Sequence, residues 1–159
     1  MMRRLEMENR TFFPVVLETI RQGHRATILA RGNSMRPFIE DNRDKLVFAK
    51  ADSIAVGDVV LAELEEGHYV CHRVVKLDGG MVTMRGDGNP VGTEVFPAEQ
   101  VRAKLVEIVR KGKTYTLATS KTWRLYSVIW PRLLPLRRYL LALYRLIWCH
   151  QWPERWKRG

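Results

Sequence analysis

Cysteine is scarce: the 159 residues contain two, Cys71 and Cys149, far apart and neither in a CxxC pair. That excludes a disulfide framework and leaves zinc ligation unsupported, so both read as reduced thiols. Long apolar runs are missing too. A membrane span needs ~20 apolar residues, and Arg132, Arg137, Arg138 and Arg145 interrupt the most apolar region before it reaches that length. At the N-terminus Arg3 and Arg4 are followed by Glu6, Glu8 and Arg10, where a secretory leader would turn apolar. The expectation is a chain with neither signal peptide nor N-terminal anchor, cytoplasmic, and at most peripheral on the inner face of a membrane. Acid is nearly absent from the last quarter. Residues 121–159 carry nine Lys and Arg against Glu154 alone, a net +8, whereas the other 120 residues carry only +2. No internal repeat is visible.

What is present suffices for a core. Apolar residues make up 46% of the chain, too many for a disordered one, and the length suits one domain with an appendage. Thr11 to Gln22 reads as a short helix capped by Thr11, with Pro14 in its first turn and Gly23 ending it. Phe13, Val16, Leu17 and Ile20 share one face. Strands follow at Ala26–Arg31, Asp44–Ala49, Val59–Glu63, around His72, at Met81–Arg85, Val101–Val109 and Thr114–Leu117. Turns at Glu65-Glu66-Gly67, Asp78-Gly79-Gly80 and Lys111-Gly112 join them. Phe96–Gln100 reads as a loop or a single helical turn. From Thr122 the pattern becomes helical, broken by Pro131 and Pro135 into segments near Thr122–Trp130 and Leu136–Cys149. The expected fold is mostly antiparallel β with a short N-terminal helix and a helical C-terminal tail, divided into a β domain over 1–120 and a basic extension over 121–159.

Three stretches carry chemistry. Gly32-Asn33-Ser34-Met35-Arg36-Pro37 sets a small hydroxyl in a tight bend, with Gly32 and Asn33 tolerant of unusual backbone angles and Pro37 stiffening the exit. Such a bend can hold a serine out of a sheet with its own N–H free, as a nucleophile requires. Val70-Cys71-His72-Arg73-Val74-Val75 places a histidine in a β-branched strand. Period-two geometry puts Val70, His72 and Val74 on one face, with Cys71, Arg73 and Val75 on the other. Met84-Arg85-Gly86-Asp87-Gly88-Asn89-Pro90 supplies an acid in a glycine-rich turn. Taken singly, each is also an ordinary turn or sheet residue.

In that order, Ser34, His72 and Asp87 resemble the type I signal peptidase and LexA-type serine peptidase superfamily. The closer likeness is to the branch of archaeal and endoplasmic-reticulum signal peptidases, where a His-Arg-Val element replaces the catalytic lysine of the bacterial enzymes. The resemblance spans Ala26 to Val109. It implies a signal peptidase-like β core and a serine endopeptidase that removes a leader or signal-like segment from a peptide or protein. Ser34 would be nucleophile, His72 general base and Asp87 the third member. The endoplasmic-reticulum enzymes carry a further aspartate several residues past the Gly-Asp pair. Thr93 and Glu94 stand there here, so either Glu94 takes that part or Asp87 acts alone. Bacterial relatives place a hydroxyl two residues before the nucleophile, where this chain has Gly32, leaving the Ser34 N–H and Asn33 as oxyanion donors. The alternative is a catalytically weak or inactive peptide- or membrane-binding module on the same fold. Self-cleavage of the LexA type lacks its Ala-Gly or Cys-Gly site ahead of Ser34, and the 33 residues before Ser34 are too few for a helix-turn-helix domain and linker.

No cofactor or metal is expected. His24, His68 and His150 read as structural or exposed. The tail holds all five tryptophans and three of five tyrosines. Basic helices rich in Trp and Leu suit an anionic membrane surface, and equally a helical pair packed on the β body with its charges solvated. Nucleic acid fits the charge but finds no recognition motif, and is not the expected partner.

Overall fold

A computed structural model describes residues 9–151, with side chains from Phe12 to Trp148. The expected Thr11 cap, Cys149, His150, Trp152 and Trp156 lie outside the described side chains.

Eight antiparallel strands form one sheet: β1 (Ala26–Leu29), β2 (Asp44–Ala49), β3 (Val59–Glu65), β4 (His68–Asp78), β5 (Met81–Arg85), β6 (Glu94–Pro97), β7 (Val101–Arg110) and β8 (Lys113–Thr116). Their order is β1-β2-β7-β3-β4-β5-β6, with β8 also on β7. The fold is the mostly antiparallel β expected. The strand β6 was not foreseen: Glu94–Pro97 pairs with β5 in the register Met84↔Glu94 and Val82↔Phe96, and a short helical turn, Ala98–Gln100, leads into β7.

Alternation along the strands makes two cores. Val59 and Leu61 of β3 face a large cluster with Phe48, Leu105 and Ile108, closed by Val16, Leu17 and Ile20 of the first helix, α1 (Asn9–Arg21). Val60 and Ala62 face the other way, onto Val74, Val82, Met84 and Phe96. α1 begins at Asn9, two residues earlier than expected, which places Pro14 inside it rather than in its first turn.

The C-terminal helices are α2 (Lys121–Arg132) and α3 (Arg137–Gln151). Ser120 caps α2 by accepting from the Trp123 N–H at 3.2 Å. Pro131 does not end α2 at Trp130. It occupies the last turn, and the Leu133 N–H reaches back to the carbonyls of Ile129 and Trp130. Trp123 and Trp130 are buried against the β body, while Leu125, Val128 and Ile129 face outward. No described helix is long and apolar enough to cross a membrane.

Candidate active site

The serine loop leaves β1 and returns into β2. Its base is pinned by Asp44, which is fully buried and accepts from the Glu40 N–H (2.9 Å), Arg43 (2.8 Å) and Arg110 (2.7 Å). Burial alone would raise the Asp44 pKa, but hydrogen bonds from Arg110 and Arg43 outweigh it and hold the group below the usual carboxylate value. Gly32 adopts φ +83°, where a side chain would be strained, and its N–H is taken by Asp41 Oδ1 at 2.9 Å. Arg36 pairs with Glu40, and Glu40 also accepts from the Tyr144 hydroxyl of α3 at 2.9 Å. Between these anchors sits Ser34, half-buried. No hydrogen bond engages its hydroxyl or its N–H among the described residues, whereas its carbonyl accepts from the Gly88 N–H at 2.7 Å. Asn33 is exposed, and its carbonyl accepts from the Arg36 N–H at 3.2 Å.

His72 is buried and lies on the β4 face of Val74, which packs in the second core. Its Nδ1 lies 3.0 Å from Glu94 Oε2. The sheet register explains the reach: Val74 pairs with Met84, and Met84 pairs with Glu94, so β4, β5 and β6 set the two side chains in neighbouring rows. In the tautomer where Nδ1 donates to Glu94, Nε2 is left as the acceptor.

Asp87 does not join His72. Its carboxylate, 1% exposed, accepts two parallel bonds from Arg73, Nε to Oδ1 at 2.8 Å and Nη2 to Oδ2 at 2.7 Å. A third comes from the Tyr126 hydroxyl of α2 at 2.8 Å. The reason is the pleat: His72 and Arg73 are adjacent on one strand and point to opposite faces, and Asp87 lies on the Arg73 side. Arg73 completes its bonding with the Gly57 carbonyl (2.9 Å) and Ser127 Oγ (3.0 Å), and its guanidinium stacks 5.0 Å from the Trp123 ring. Burial would lower the Arg73 pKa, but Asp87 more than offsets it. Tyr126 is pushed well above its ordinary value by burial and then by the Asp87 charge. The carboxylate that orients the histidine in this structure is therefore Glu94, and Asp87 is the anchor of a buried ion pair.

The backbone of the Asp87 turn nevertheless forms a wall of the serine site. Besides the Gly88–Ser34 bond, the Asp87 N–H points at Met35 Sδ, 3.5 Å away. A Cβ on Gly86 would collide with the Ser34 carbonyl oxygen and lie 2.7 Å from Asn89 Nδ2 and 3.0 Å from His72 Nε2. Three groups thus converge where Gly86 leaves room: the Ser34 backbone, the His72 nitrogen not held by Glu94, and an amide donor. Ser34 and His72 make no hydrogen bond to each other among the described residues, and such contacts often tighten only when substrate binds. Asn89, read from sequence only as part of the turn, was missed as a member of this group. Sequence reasoning also missed Tyr126 and Trp130, which hold the Asp87 turn, the Trp130 Nε1 donating to the Asp87 carbonyl at 2.9 Å. His24 and His68 are exposed. Cys71 is partly buried against the first core, and desolvation lifts its thiol pKa to about 12.

The Peptidase S24-like family matches residues 3–109, from before α1 to the end of β7. No curated protein matches the chain. The matched stretch holds Ser34, His72, Asp87 and Glu94, while α2 and α3 lie beyond it. Covering well over half the chain, the match places this protein in the Peptidase S24-like family, within the superfamily that unites LexA and the signal peptidases.

Proposed function

We propose that the protein is a serine endopeptidase that cuts a leader or signal-like segment from a peptide or protein, with Ser34 as nucleophile, His72 as general base and Glu94 as the group that orients it. Family membership supports a serine peptidase kind of activity. The observation that supports the residue assignment is the position of His72: Nδ1 lies 3.0 Å from Glu94, and Nε2 and the Ser34 carbonyl both border the space beside Gly86.

In this reading the Ser34 hydroxyl attacks the scissile carbonyl carbon while its proton passes to His72 Nε2. The imidazolium that forms is stabilised by Glu94. His72 returns the proton to the leaving amine; a water then attacks the acyl-enzyme, its proton going to Nε2 and from there to the Ser34 oxygen as the acyl bond breaks. The developing oxyanion is met by the free Ser34 N–H, with the Asn89 or Asn33 amide as a second donor. Gly32 contributes none, having no side chain and its N–H committed to Asp41. Losing one oxyanion donor costs about 3 kcal/mol, so turnover is expected to be slow. The same feature favours the second reading, a module that binds peptide without cutting.

A proteome-derived peptide mixture, incubated with the protein and read by mass spectrometry, separates the two. New termini should appear with the wild type and be absent with Ser34→Ala and His72→Ala at unchanged thermal stability. Equal cutting by Ser34→Ala sinks the assignment. Retention of peptides without any new terminus favours the binding module.

A further inference from the structure

The C-terminal helices are amphipathic in an unusual sense. The side of α3 that faces the body carries Arg137, Leu141, Tyr144 and Trp148, spaced by four and three residues. Arg137 donates to the Asn89 and Trp130 carbonyls, and Tyr144 donates to Glu40. The apolar stripe points the other way: Tyr139, Leu143, Leu146 and Ile147 are 62%, 55%, 70% and 54% exposed. α2 repeats the pattern, with Leu125 and Ile129 outward and Trp123 and Trp130 inward. Of the fourteen large apolar residues exposed among the described ones, eight lie between Leu125 and Ile147. Such a concentration marks a contact surface.

Charge selects the occupant. Residues 121–151 contain six Lys and Arg and no Asp or Glu. On α3 the exposed Arg138 and Arg145 flank the apolar stripe. A second copy docked on this face would bring like charges together with no acid on either helix to neutralise them. An anionic lipid surface satisfies both features, taking the apolar side chains below the headgroups and the guanidinium groups among them.

We infer that the outer face of α2 and α3 docks the protein on anionic membrane, lying in the interface without spanning it. The inference is independent of catalysis, and its readout is binding. Deleting the tail is a poor test, because the inner faces of these helices hold the serine loop and the Asp87 turn. Point changes in the exposed stripe leave those contacts intact.

The full chain is sedimented with vesicles of equal parts phosphatidylglycerol and phosphatidylcholine, and with phosphatidylcholine alone. Partitioning should be at least about tenfold stronger on the anionic vesicles. Leu143→Glu with Leu146→Glu should lower it about tenfold or more at an unchanged melting temperature, and Arg138→Gln with Arg145→Gln should lower the anionic preference. Equal or absent partitioning on the two vesicle types overturns the inference. So does wild-type partitioning by the double glutamate variant, or a self-association in analytical ultracentrifugation that this variant abolishes.

Discussion

Two acids compete for the third position of the site, and substituting each should give opposite signatures. Glu94→Gln keeps the size of the side chain but lets an amide donate to His72 Nδ1. That would favour the tautomer with the proton on Nε2, which cannot take the Ser34 proton. The matching change in a serine triad lowers kcat about 10⁴-fold. Here Glu94 is 30% exposed, so water competes for the bond and about 10²- to 10³-fold is expected. Glu94→Ala, which removes the bond without enforcing the wrong tautomer, should cost less. A hydrogen bond to a charged group contributes about 1.5–3 kcal/mol, and at the lower end for a partly exposed one this is about tenfold. Neither variant should change the melting temperature by more than a few degrees. Asp87→Asn should do the reverse. It leaves a guanidinium 2% exposed without its counter-charge, a change that costs about 3–5 kcal/mol and lowers the melting temperature by on the order of 10 °C. The assay is kcat on a cleaved peptide beside thermal denaturation for all three variants. Full activity in Glu94→Gln, together with a catalytic loss at normal stability in Asp87→Asn, would refute the assignment.

Gly86→Ala should abolish activity and destabilise the fold, because the added methyl meets the Ser34 carbonyl, a backbone atom that cannot swing aside; cleavage and thermal melts read both effects. Removing residues 121–159 should lower the melting temperature and abolish the proposed cleavage in solution without lipid, since the Asp87 ion pair loses its cover; unchanged cleavage by the shortened chain would count against that role. Asp44 titrates below the ordinary 3.8 in the folded state, so its stabilisation is complete above that value and is lost as pH falls through the folded pKa. Asp44→Asn should be less stable at neutral pH and show a flatter acid limb in denaturant titrations between about pH 2 and 5. Cys71, its thiol pKa at about 12, should resist iodoacetamide at mildly alkaline pH until the protein is unfolded, as measured by mass spectrometry of the Cys71 peptide.

Much of the β body was legible because its alternation is strong. β2 and β5 begin and end where the pattern of apolar and polar residues places them. The opposite facing of His72 and Arg73 also follows from period two alone. What the sequence withheld is how turns direct side chains. Gly86-Asp87-Gly88-Asn89 reads as a turn whose acid is free to serve the histidine. The choice is made by Arg73 below it and by Tyr126, 39 residues on, which together fill the carboxylate's bonding capacity. Glu94 was named from the resemblance without the strand that delivers it. β6 has four residues and ends in Pro97, so its signal is weak. Pro131 marked a helix end two residues too early, because a proline in the last turn forgoes few bonds that the helix still needs.

The C-terminal helices also bear on how the site is held in shape. An ion pair on an open surface contributes about 0–1 kcal/mol and leaves both side chains free to move. The Arg73–Asp87 pair escapes that regime because Trp123, Tyr126 and Trp130 cover it and Tyr126 and Trp130 bond it. With its carboxylate and its carbonyl both fixed, the Asp87 turn presents Gly86 and Gly88 to the serine loop in one geometry, and the Gly88–Ser34 bond carries it to Ser34. α3 grips the same loop from its far side through Tyr144 and Glu40. The proposed catalytic residues all lie within 3–109, yet many of the contacts that hold them in place come from residues 123–144. A stretch of chain beyond the matched peptidase region thus works as the back wall of the site, which is why its polar and aromatic face is turned inward and its apolar face is left for something else.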